Sequence, residues 1–257
     1  MIKNVIFLLY LIHFFVNCSK NPSMYKENIS KRSLELSEMT YCGSECDNDC
    51  ILEYEVENMG SKALMGYDNI TQTIFTAFRG SSNMHNWIEN IQVYKIAPYE
   101  DRNLEVEGGF YKDYEYIKDQ IFENLYILSM KYETKSLLIT GHSLGAAAST
   151  LMTYDIYNMN DFVIEYFYNF GSPRVGNDAF VKDFNEKIEG YRVVHNNDMV
   201  TVVPPMAFNY QHISQGVCYN NDSSEYKYCE NTDCNMTTCS TDDHIHYLNV
   251  TMGSSGC

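Results

Sequence analysis

Leu137-Leu138-Ile139-Thr140-Gly141-His142-Ser143-Leu144-Gly145-Ala146-Ala147-Ala148 is the stretch on which the fold turns. A short apolar run stops at Gly-His-Ser-Leu-Gly and continues into small helix formers. This pattern predicts a strand entering a helix through a tight turn, with Ser143 at its apex. Such a turn needs residues without bulk two positions either side of the serine, and Gly141 and Gly145 supply them. The hydroxyl would then project beyond the sheet, above a helix N-terminus whose free N–H groups favour developing negative charge. A bare Gly-x-Ser-x-Gly also arises by chance, as an ordinary strand-to-helix turn; the readable strand and helix around it are what give it weight.

Outward from this point, strands are expected at Ile51–Glu57, Ala63–Tyr67, Thr73–Phe78, Ile164–Phe170 and Tyr191–His195. Helices are expected at Gly109–Tyr132, where Phe110, Tyr114, Ile117, Ile121, Leu125 and Leu128 share one face, and at Asn177–Lys187. Met84, Trp87, Ile88 and Ile91 fall at i, i+3, i+4 and i+7, an apolar stripe on a very short helix. The alternation of strand and helix predicts an α/β fold, a largely parallel central sheet flanked by helices on both faces. Residues 19–40 read as an N-terminal helix or a loosely held arm. Residues 214–243 are rich in Asn, Asp, Ser, Thr and Tyr and read as a disulfide-stapled loop close to the site; an exposed insertion without catalytic bearing is the competing reading.

The 257 residues, 45% hydrophobic and 20% charged, suit one globular domain. A formal charge of −16 argues against nucleic acid and anionic membrane surfaces as partners. Residues 1–18 read as a secretory signal peptide, with Lys3 as the positive residue and Val5 to Val16 as an apolar run too short to span a bilayer; a retained anchor is the alternative. Nothing later in the sequence suggests a transmembrane or lipid anchor, so secretion is expected. Of nine cysteines, Cys18 falls within the leader. The remaining even set, Cys42, Cys46, Cys50, Cys218, Cys229, Cys234, Cys239 and Cys257, implies disulfides in an exported chain. Zinc competes weakly, since no Cys-x2-Cys clamp is present. Cys46 and Cys50 form the natural local pair. Sequons at Asn28, Asn69, Asn221, Asn235 and Asn249 permit glycosylation.

A serine hydroxyl attacks only when a base takes its proton and a carboxylate orients that base. Sheet hydrolases deliver these in the order Ser, Asp, His. Asp198, just past the Tyr191–His195 strand, is the candidate acid, although a turn aspartate bonded to its own backbone would look the same. Downstream histidines are His195, His212, His244 and His246. His195 reads as a core residue, and chain order does not separate the others.

From about Tyr41 to Cys257 the chain resembles the class 3 (fungal-type) triacylglycerol lipase family. The matching segments are Tyr41-Cys42-Gly43, Phe78-Arg79-Gly80-Ser81, Asn86-Trp87-Ile88, Gly141-His142-Ser143-Leu144-Gly145, Gly171-Ser172-Pro173-Arg174-Val175-Gly176-Asn177, His195-Asn196-Asn197-Asp198 and Asp243-His244-Ile245-His246-Tyr247. The resemblance implies an α/β-hydrolase domain over 42–257, preceded by an arm over 19–41. It implies Ser143 as nucleophile, Asp198 as acid and His244 as base, with Ser81 and Leu144 forming the oxyanion hole. The Met84–Ile91 helix would be a lid, packing into the core being its bland alternative. Cys42 and Cys257 would join the two ends of the domain. Expected, then, is a monomeric hydrolase of lipid carboxylic esters, working at a lipid–water interface without metal or cofactor. Phospholipids or aromatic cell-wall esters are alternative substrates, and a non-catalytic lipid-binding protein is a minor alternative. The chain departs from the family at Ala146, where a second glycine is common, and in the 214–243 cysteine segment.

Overall fold

The computed structural model describes residues 25–43, 46, 48–81, 91, 93–230, 238–253 and 256–257. The 1–18 leader and three members of the expected lid stripe, Met84, Trp87 and Ile88, lie outside them. Ile91 is described, partly buried against the main core.

An eight-stranded sheet forms the centre. In chain order its strands are β1 (Cys50–Asn58), β2 (Ser61–Asp68), β3 (Thr73–Phe78), β6 (Ser136–His142), β7 (Val163–Phe170), β8 (Tyr191–His195), β9 (Gln215–Tyr219) and β10 (Tyr226–Cys229), and they lie side by side in that order. Between β3 and β6 a small ribbon intervenes, β4 (Lys95–Ile96) with β5 (Val106–Glu107). From β3 through β9 the sheet is parallel, whereas β1, β2 and β10 add antiparallel edges. The parallel strands are nearly continuous apolar runs because helices cover both faces; all of Thr73–Phe78 is buried.

One face carries α2 (Gly108–Lys131), α3 (Leu144–Met159) and α4 (Asp178–Lys187). The expected stripe of α2, from Phe110 to Leu128, is buried there with Leu151, Met152, Phe180 and Phe184. The other face carries α1 (Glu27–Cys42). Of the two readings of 19–40, helix and loose arm, the structure contains the helix, and it is integral to the domain. Its inward positions include Ser30, Ser33, Ser37 and Thr40 beside Leu34, Leu36 and Met39. Ser37 Oγ meets Thr140 Oγ1 at 2.8 Å, and Arg32 Nη2 pairs with buried Asp68 at 2.7 Å. Ser37 and Arg32 thus find partners across the interface, while Thr40 Oγ1 donates back to the Ser37 carbonyl within the helix.

The 214–243 segment corrects the expectation of a loop. Its first half is the β9–β10 pair, which extends the sheet, with Cys218–Cys229 joining the two strands. Cys42–Cys257 and Cys46–Cys50 are also disulfides, the first spanning 215 residues. Cys239 is disulfide-bonded as well. Among the described residues no helix is long and apolar enough to cross a membrane.

Candidate active site

The C-terminal end of β6 runs straight into α3 through Ser143, whose backbone sits at φ 60°, ψ −129°. That left-handed φ is strained for a serine, and the glycines on either side make it attainable. A Cβ on Gly141 would run into the Gly145 carbonyl, and one on Gly145 into the Phe78 carbonyl at the end of β3. The serine N–H bonds to the Phe170 carbonyl at 3.0 Å, fixing the turn to the neighbouring strand. Ala146, the departure from the family pattern, is accommodated within α3, fully buried.

Asp198 stands three residues beyond β8 and begins a short 3-10 turn, Met199–Val202. The turn reading holds, and the same carboxylate also meets a histidine. Oδ1 accepts from Val200 N at 2.8 Å, as a turn aspartate does, and both carboxylate oxygens lie 2.8 Å from His244 Nδ1. The phenol of Tyr247 donates to Oδ2 as well. Burial pushes the Asp198 carboxyl up, but His244, Tyr247 and the Val200 N–H outweigh it and hold the pKa below the ordinary value.

His244 lies on the one-turn helix α5 (Asp242–Ile245) and is fully buried. The 240s reach Asp198 through backbone pairing: Ser240 N donates to Asn197 O at 2.8 Å, and Met199 N to Ser240 O at 3.2 Å. The Asp243 carboxylate accepts from Asn196 Nδ2 at 3.0 Å and Asn197 N at 3.1 Å. The other histidines are engaged elsewhere. His195 is a buried residue between the Asp243 and Asn221 carbonyls, His212 bonds to the Thr201 carbonyl, and His246 is partly exposed against the Asp242 carbonyl.

With His244 Nδ1 on the carboxylate, its Nε2 is left buried without a hydrogen-bond partner among the described residues, and so is Ser143 Oγ. Both atoms are wholly enclosed. The loop after β3 borders the serine: a Cβ on Gly80 would come within 2.9 Å of Ser143 Cβ. Of the residues expected to supply oxyanion N–H groups, Ser81 follows Gly80 in the chain and Leu144 opens α3 directly after the serine. Among the described residues no group of three or more His, Cys, Asp or Glu could hold a metal ion.

Two contributors were not read from the sequence. Gly171, at φ +55°, lies against the pair: a Cβ there would stand 2.7 Å from His244 Cε1 and 2.8 Å from Asp198 Oδ2. Nothing in Gly171-Ser172-Pro173 distinguishes it from an ordinary turn glycine. Tyr247 stands in the sequence only as the last residue of the Asp243–Tyr247 segment, which gives no hint of its bond to Asp198.

The family model described as lipase (class 3) matches residues 75–208, just over half of the chain. A lipase of Rhizomucor miehei is 25% identical over 83% of this chain and 62% of its own length. A secreted mono- and diacylglycerol lipase of Fusarium solani is 32% identical over 74% of this chain and 60% of its own. The chain thus spans about three-fifths of the length of these two relatives. A solved triacylglycerol lipase, described as having a serine protease triad as its catalytic centre, superposes with a TM-score of 0.80 at 24% identity, over 89% of this chain and 96% of that one. Lipase II from Rhizopus niveus gives 0.80 at 22% identity, over 90% and 98%. Those likenesses show the α/β-hydrolase fold. By the family match, the chain is a member of the class 3 lipases.

Proposed function

We propose that this chain is a secreted lipase that hydrolyses carboxylic esters of acylglycerols through an acyl-enzyme on Ser143. Ser143 Oγ attacks the acyl carbon while His244 Nε2 takes its proton. The resulting imidazolium is held by Asp198, whose lowered pKa keeps it ionised at neutral pH. Negative charge on the former carbonyl oxygen is taken up by the backbone N–H groups of Ser81 and Leu144. His244 then passes its proton to the departing alcohol, and a water, activated by the same nitrogen, releases the fatty acid.

The observation that carries this reading is the carboxylate–imidazole pair at 2.8 Å, with its far nitrogen and the serine hydroxyl both buried and unpartnered among the described residues. A hydroxyl and an imidazole nitrogen left without partners in a protein interior are costly unless function retains them. Free catalytic groups of this kind often close up only when substrate binds. Acylglycerols are favoured as substrates because the relatives are named as lipases and mono- and diacylglycerol lipases. The Val5–Val16 apolar run and the disulfides support export.

The test is hydrolysis of short- and long-chain acylglycerols by purified protein, with labelling by a fluorophosphonate. Parent protein should do both and Ser143→Ala neither. Equal activity in Ser143→Ala would refute the proposal.

A further inference from the structure

Beside the Asp198–His244 pair lies a second buried imidazole that the reaction above does not use. His142, immediately before Ser143, stacks on His244 with ring centroids 4.5 Å apart and planes inclined by 30°. Its Nε2 is 2.8 Å from the backbone carbonyl of His244, and its Nδ1 is 2.7 Å from the hydroxyl of Tyr41, at the end of α1. That hydroxyl also accepts from Gly80 N at 2.9 Å, one residue before the proposed oxyanion donor Ser81.

Every donor direction in this chain is determined. A carbonyl only accepts, so His142 Nε2 carries the proton and donates to His244 O. A neutral ring then has a lone pair on Nδ1, so Tyr41 donates there, leaving its oxygen to accept from Gly80 N–H. Burial, reinforced by the neighbouring His244, pushes the His142 pKa down to about 3, which keeps the ring neutral. Burial likewise pushes the Tyr41 phenol up, so it keeps its proton. The result is one polarised series, Gly80 N–H to Tyr41 O–H to His142 to His244 C=O, crossing four separate segments.

We propose that Tyr41 and His142 are positioning residues for the reaction, rather than core polar groups that merely satisfy one another. The series ties the strand end that presents the Ser81 N–H to the backbone of the base, so the oxyanion site and the imidazole are set relative to each other. It has a second consequence. An imidazole stacked on the base would compete for the serine proton if its lone pair were free, and its charge would oppose that of the His244 imidazolium. The Tyr41 hydroxyl caps that lone pair, doing for His142 what Asp198 does for His244: it fixes the tautomer.

This inference rests on the reading of Ser143 and His244 given above, and the experiment separates the two. Turnover per active site, titrated with a fluorophosphonate, is measured with an acylglycerol for the parent, Tyr41→Phe, His142→Phe, His142→Gln and the double Tyr41→Phe/His142→Phe variant. Tyr41→Phe, which removes one oxygen, should lower kcat by about 10- to 100-fold with KM within about twofold. The acid limb of its pH profile should stay where it is, because His142 does not titrate there. His142→Phe should lose about as much, and the double variant no more than either single, as expected of groups acting in series. His142→Gln, which keeps a donor able to reach the His244 carbonyl, should recover part of the loss. Parent-like kcat in Tyr41→Phe, a loss confined to KM, or single losses that multiply in the double variant would overturn the inference while the parent remains an active esterase. A parent that neither labels nor hydrolyses ester would overturn the functional reading, and this inference with it. If His142→Phe fails to fold, Tyr41→Phe and His142→Gln decide the matter.

Discussion

Asp198 and Glu107 are both buried carboxylates at the start of a helix, and their environments drive them in opposite directions. Each accepts a backbone N–H of the turn it caps, from Val200 for Asp198 and from Phe110 for Glu107. Asp198 also has an imidazole and a phenol, and its pKa lies below the ordinary value. Glu107 has no such help. One of its oxygens, Oε1, is without a hydrogen-bond partner among the described residues. Burial raises its carboxyl to about 7, partly offset by the Phe110 and Gly109 N–H groups and added to by the charge of Asp113. Burial alone therefore makes a carboxylic acid, and only the ring of donors around Asp198 makes an anion fit to hold an imidazolium.

The largest test of that contrast removes the anion. Asp198→Asn keeps the shape but offers His244 the wrong partner, so kcat should fall on the order of 10³- to 10⁴-fold with little change in fold. Retention of more than a tenth of the activity would mean that the pair is not the catalytic one. Gly171→Ala attacks the geometry instead of the charge. The added methyl would sit against both members of the pair at a backbone φ that alanine resists, so a loss of about 10²-fold is expected. Parent-like rates in that variant would show that the imidazole and carboxylate need not keep their present contact. Tyr247→Phe removes one donor from the carboxylate. Loss of a bond to the charged form lets the Asp198 pKa climb, so a deficit of roughly tenfold or less at pH 8 should widen as the pH falls toward 5. A deficit that is flat with pH would assign the phenol to packing alone.

The nucleophile turn was legible because its causes are contiguous: strand, glycines, serine and helix occupy twelve consecutive positions. The proposed acid and base were legible only in part. Asp198 could be placed beyond a strand end, but the geometry that singles out His244 from His212 and His246 is made by contacts between residues about 46 apart in sequence, such as His244 with Asp198. Period and spacing carry no trace of these. The same limit explains α1. Its inward face is built from Ser30, Ser33, Ser37 and Thr40 as much as from Leu34, Leu36 and Met39, so hydrophobic periodicity is diluted by polar groups, of which Ser37 meets Thr140 of the sheet. For 214–243 the low apolar content was misleading in another way. β10 is an edge strand with the consecutive residues Tyr226, Lys227 and Tyr228 all exposed, so both of its faces are open to solvent and it needs no buried apolar side.

Glu107 offers the smallest effect and the one that isolates burial from partnership. Its folded pKa is raised, so between the ordinary glutamate range and about 7 the folded chain holds a proton that the unfolded chain has already lost. Stability should therefore decline as the pH rises through that window and level off above it. At pH 8 the buried charge opposes folding by an amount on the order of 2 kcal/mol, and below about pH 4 the penalty is absent. Glu107→Gln keeps an acceptor for the Phe110 N–H but cannot ionise. The variant should melt roughly 4–8 °C above the parent at pH 8, with the gap closing as the pH is brought to 4. Asp198 works with the opposite sign: its lowered pKa lends stability above the ordinary carboxylate range that is lost as the pH falls through it, so Asp198→Asn should melt below the parent at pH 8. If Glu107→Gln instead melted below the parent at pH 8, its carboxylate would have to be stabilised in the folded chain. Two buried carboxylates would then behave alike, and the difference attributed to the donors around Asp198 would have to be sought in something other than hydrogen bonding.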